Sequence, residues 1–141
     1  MAVLSRPFVV SHTGLTNIAD KPSRWRRYSA ANRNIPSAIA AEVGRRGGLV
    51  GICLSTQLLG GSTLDAAART FAAAIGSAGE DRVAIGSDMD GALKTVIDVE
   101  GLPSLASALL DYGLTESTVR KVLGASAASF FERAVPGLPE A

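Results

Sequence analysis

One histidine, one carboxylate and one arginine carry most of the chemistry that this sequence offers. His12 is the only histidine among 141 residues and stands in Ser11-His12-Thr13-Gly14, directly after an apolar run. Asp88 and Asp90 stand in Asp88-Met89-Asp90-Gly91, again directly after an apolar run. An imidazole can ligate a metal or carry a proton near neutral pH, and a carboxylate can act as general acid and base. Plainer readings stand beside these. His12 can be a loop histidine bonded to a backbone carbonyl, and Asp-x-Asp-Gly is good turn chemistry. Asp90 is assigned to that turn, whereas Asp88 directly ends the apolar run and is the candidate site carboxylate. Arg33, within Asn32-Arg33-Asn34-Ile35-Pro36, offers a guanidinium fork that holds a carboxylate better than a lysine does. Taken alone it reads as a solvated arginine, in a basic stretch with Arg24, Arg26 and Arg27.

These residues need elements to position them. Three short apolar runs, at 7–11, 49–54 and 82–87, read as strands, and none alternates cleanly between polar and apolar. That pattern predicts parallel strands covered on both faces. Helical patterns lie between and after them. Residues 36–46 open on proline and end at Gly47-Gly48, a stop signal. Residues 63–77 carry Leu64, Ala67, Ala68, Phe71 and Ile75 on one face. A further helix over 105–112 stops at Gly113, another starts at Thr115, and 125–134 form the last. The order is β-α-β-α-β-α-α, with connections long enough for crossover helices. The carboxyl ends of parallel strands are where such folds bind ligands, and there His12 and Asp88 fall. Three units are fewer than half of a closed (β/α)8 barrel, which takes roughly 200 residues or more. The chain therefore reads as a small open α/β domain or as part of something larger.

Composition limits the alternatives. A hydrophobic fraction of 47% with 19% charged residues excludes a disordered chain. Lys+Arg 14 against Asp+Glu 13 leaves a formal charge of +1, which gives no general case for nucleic acid or a charged membrane surface. Trp25 and Tyr28 among arginines form only one short patch without a nucleic-acid motif. The single cysteine, Cys53, excludes an intramolecular disulfide and a multi-cysteine metal knuckle, and reads as a small core hydrophobe. No apolar stretch approaches the ~18 residues of a membrane span, and residues 1–7 hold too short an apolar run for a secretory signal. The expected setting is cytoplasmic.

At these residues the sequence resembles the membrane dipeptidase (renal dipeptidase) family of zinc peptidases. Phe8-Val9-Val10-Ser11-His12-Thr13 resembles the strand that carries a zinc-binding histidine. Asn32-Arg33-Asn34-Ile35-Pro36 is similar to the family's Arg-Asn-aliphatic-Pro element, and Gly47-Gly48-Leu49-Val50-Gly51-Ile52 to its next strand. Val83-Ala84-Ile85-Gly86-Ser87-Asp88-Met89-Asp90-Gly91 resembles the strand presenting the catalytic aspartate. The pieces fall in family order over residues 6–134.

The resemblance implies an α/β fold, a partial (β/α)8 TIM-type barrel made of the last three βα units with parallel strands. Residues 1–134 would form this C-terminal part of the barrel and 135–141 a frayed tail. It implies a metallodipeptidase that hydrolyses dipeptides at a binuclear zinc site. His12 would be a ligand of one zinc, Arg33 would bind the C-terminal carboxylate of the dipeptide, and Asp88 would be the catalytic acid and base. The family's His-x-Asp motif, its bridging glutamate and its other zinc-binding histidine have no counterpart here, and Gly124-Ala125-Ser126 stands where members often have Gly-Gly-Asn. The zinc site is therefore expected to be incomplete and the chain inactive alone. The alternative is a non-catalytic α/β interaction module, or half-barrel, that associates with itself or with an N-terminal barrel half.

Overall fold

The computed structural model describes residues 7–16, 33–91 and 93–135. The basic stretch Arg24 to Tyr28 and residues 136–141 of the expected tail lie outside the described residues. Among these residues three strands, β1 (Val9–Thr13), β2 (Leu49–Cys53) and β3 (Val83–Ser87), form one sheet in the order β1-β2-β3. Both pairings are parallel, as the unbroken apolar runs predict.

Among the described residues five α-helices accompany the sheet: α1 (Ser37–Arg45), α2 (Leu64–Ala78), α3 (Leu102–Asp111), α4 (Glu116–Arg120) and α5 (Ser126–Ala134). Local chemistry sets their limits. Thr63 caps α2 by accepting the Ala66 N–H at 3.2 Å, and Thr115 caps α4 by accepting the Thr118 N–H at 3.2 Å. Helix α1 stops where Gly47 takes a φ of +74° and Gly48 N–H returns to the Val43 carbonyl at 2.9 Å. A kink over Lys121–Ala125 links α4 to α5, with Gly124 outside helical backbone.

Successive strand residues point to opposite faces, and the core divides accordingly. Val50, Ile52 and Val83 enter the larger cluster, built with Val43 of α1, Phe71 of α2 and Leu105 of α3. Leu49 and Ala84 enter a smaller one against Phe130 of α5. All five β2 residues are buried. The expectation of strands covered on both faces thus holds for the central strand but not for β1, where Val9, Ser11 and His12 are exposed. An edge strand with one neighbour lacks the packing that covers a central one. Among the described residues no helix is long and apolar enough to cross a membrane.

Candidate active site at the strand ends

Both outer strands carry an extra residue relative to β2 at their carboxyl ends. In β1, Val10 pairs with Val50 but Thr13 with Ile52. In β3, Ile85 pairs with Ile52 but Ser87 with Cys53. Such bulges re-aim side chains and recur beside active sites. Among the described residues, the non-glycine positions with positive φ are His12 (57°), Ser87 (41°) and Asp88 (72°), and all three sit at these ends. Conformations of this kind cost about 1–3 kcal/mol each and persist where the surroundings over-determine them.

The two bulges bring His12 and Asp88 to one open cavity of about 820 Å³, lined also by Ser87, Met89, Asp90, Gly91, Asp98 and Val99. His12 is exposed, and its Nδ1 lies 2.9 Å from Ser11 Oγ. With Nδ1–H donating to that hydroxyl, Nε2 keeps a lone pair for a metal or a proton. Asp88 opens a turn in which the Gly91 N–H donates to the Asp88 carbonyl at 3.3 Å. Asp90 is exposed in the same turn yet also lines the cavity. Asp98 and Val99 of the lining come from further along the chain after β3. Its backbone is tied to the β2 exit by Thr56 N–H to Lys94 O and Val96 N–H to Leu54 O, both 2.9 Å. Asp98 then caps a short 3-10 turn through the Gly101 N–H at 3.1 Å.

Arg33 is exposed and does not line that cavity. Its backbone is nonetheless fixed to the β1 end, because Thr13 Oγ1 donates to its carbonyl at 3.1 Å. Its charge also acts on the Cys53 thiol beside Asp88. The residue that places it is the buried Asn34, which the sequence reading passed over. Asn34 Oδ1 accepts the Gly14 N–H at 2.9 Å, and Nδ2 donates to Leu58 O at 2.8 Å and Leu15 O at 3.4 Å. One amide thereby joins the β1 exit, the β2 exit and the Arg33 segment. Its polarity between a charged residue and a proline-led helix was the signal available in the sequence. Cys53 was also missed as a neighbour of the site. Its Sγ lies 3.7 Å from Asp88 Oδ2.

The fit to a metal is partial. Among the described residues no group of three or more His, Cys, Asp or Glu side chains is set to hold a metal ion. His12 supplies one imidazole, whereas hydrolytic zinc sites take at least three protein ligands. These residues alone do not make a metal centre.

Parallel strands with helical crossovers and a polar site at their carboxyl ends define part of a (β/α)8-type barrel. The family model for membrane dipeptidases, peptidase family M19, matches residues 2–134, and the chain belongs to that family. A curated relative, the dipeptidase ataJ of Aspergillus terreus, is 27% identical over 134 residues, covering 88% of this chain and 30% of its own length. A metallopeptidase from Rhodobacter sphaeroides, solved with a phosphinate mimic of the dipeptide L-Ala-D-Ala, superposes with a TM-score of 0.77 at 26% identity. The match covers 92% of this chain and 37% of that one. An amidohydrolase from Pseudomonas aeruginosa shares the fold at a TM-score of 0.73 and 22% identity, over 95% of this chain and 47% of its own. The chain thus spans roughly a third to a half of the relatives it matches.

Proposed function

We propose that this chain is the C-terminal part of a zinc-dependent dipeptidase and supplies one side of its active site. The observation that carries the reading is the meeting of His12 and Asp88 at one cavity on the carboxyl edge of the sheet, in a chain of the membrane dipeptidase family. Hydrolysis of a dipeptide needs a proton removed from water and one delivered to the leaving amine. A carboxylate at a strand end can do both in turn, and Asp88 is the residue assigned to it. Arg33, with its planar fork, is assigned to the substrate's C-terminal carboxylate, the group that makes a dipeptide recognisable as such. His12 would contribute one imidazole to the metal, and the remaining ligands would come from outside the described residues. A bound zinc would make hydroxide available near neutral pH and polarise the scissile carbonyl.

The roles separate kinetically once the rest of the barrel is supplied as a second polypeptide. Asp88→Asn should lower kcat by roughly 10²- to 10⁴-fold, the usual contribution of a positioned acid or base. Arg33→Gln should raise KM for a dipeptide by roughly 10- to 100-fold, the loss of a charge-assisted pair. Unchanged kinetics in Asp88→Asn would remove the assignment.

A further inference from the structure

Cys53 is the only cysteine in the sequence, and it is fully buried at the end of β2. Its Sγ accepts the Ser55 N–H at 3.4 Å and faces two acceptors, Ser87 O at 3.6 Å and Asp88 Oδ2 at 3.7 Å. The thiol has one proton to give. Ser87 O already accepts the Leu54 N–H at 2.8 Å, and an ionised carboxylate is the stronger acceptor. The other carboxylate oxygen, Oδ1, lies over Gly91, in space that a Cβ there would fill. Across the register shift Cys53 pairs with Ser87, so Asp88 is the next residue along and its Oδ2 lies beside the sulfur.

We propose that Cys53 is a positioning residue for Asp88, its S–H donating to Oδ2 so that the carboxylate keeps one orientation at the cavity. Burial pushes the Cys53 thiol above the ordinary cysteine range, and the Asp88 carboxylate adds to the shift, while the Ser55 N–H and the Arg33 guanidinium act the other way. The net effect keeps the proton on sulfur, where it can be donated. The inference rests on the assignment of Asp88 as proton carrier, but its test needs no turnover, so the two can fail separately.

The test is carboxyl-carbon NMR of the 141-residue chain, comparing wild type with Cys53→Ala and Cys53→Ser. Cys53→Ala should move the Asp88 carboxyl resonance and average its χ1 couplings over rotamers, with the amide spectrum of the three strands retained. Cys53→Ser, which keeps a donor, should restore both towards wild type. In parallel, thiolate absorbance follows the sole cysteine, and Asp88→Asn should shift its titration to lower pH. An unchanged Asp88 signal in folded Cys53→Ala would overturn the proposal. If Cys53→Ala does not fold, an unmoved thiol titration in Asp88→Asn overturns it instead.

Discussion

His12, Ser87 and Asp88 hold backbone conformations that other side chains avoid, and each stands at the mouth of one cavity. Such strain persists only where neighbouring bonds enforce it. On the β1 side Asn34 fixes the chain two residues beyond His12, at Gly14. Asn34→Ala would leave the Gly14 N–H and the Leu58 carbonyl without the partners they now have inside the fold. An unmade buried hydrogen bond costs about 1–3 kcal/mol, so this substitution should destabilise the chain by about 2–4 kcal/mol. Urea unfolding would measure the loss, and a cost below about 0.5 kcal/mol would mean that Asn34 is not the clamp described here.

Among the elements, the tight seat of α1 against α2 reverses an ordinary rule. Glycine inside a helix normally costs about 0.5–1 kcal/mol relative to alanine. A Cβ on Gly44 of α1, however, would run into the backbone carbonyl of Ala78 in α2. Gly44→Ala should therefore destabilise by about 1–3 kcal/mol, as overpacking does. Gly76 of α2 is exposed with open space around it, and Gly76→Ala should stabilise by about 0.5–1 kcal/mol. Denaturant midpoints of the two variants should move in opposite directions.

The same elements show what the sequence could reveal. The helices over 36–46 and 63–77 lie within a residue of the observed α1 and α2, because the proline that stands at the α1 N-cap, a threonine cap and glycine stops act locally. The first strand was expected at 7–11 but runs from Val9 to Thr13. The apolar triplet Phe8-Val9-Val10 marks its start, while His12-Thr13 reads as loop because a bulge, invisible to periodicity, carries the strand through polar residues. The helix expected over 105–112 begins earlier, at Leu102, since Pro103 is tolerated in a first turn. His12 and Asp88 were legible from their places after apolar runs. Asn34 and Cys53 were not, because their importance lies in partners 20 to 35 residues away in the chain.

Taken together, the described residues form a piece of barrel with a buried central strand and an exposed first strand. Among the described residues β2 has a strand on each side and β1 only one, which accounts for buried β2 and exposed β1. An exposed parallel edge invites pairing, so the chain alone should self-associate in sedimentation experiments and should do so less when the rest of the barrel is present. With one imidazole available and no three-ligand cluster among the described residues, the site should hold zinc weakly until other strands complete it. The decisive measurement is dipeptide hydrolysis by the purified 141-residue chain with zinc, alone and mixed with the remainder of the barrel. The expected result is no turnover from the chain alone, turnover from the mixture, and its loss when the mixture contains Asp88→Asn. Hydrolysis by the isolated chain that disappears on Asp88→Asn, or an inactive mixture in which the two parts have assembled, would contradict it.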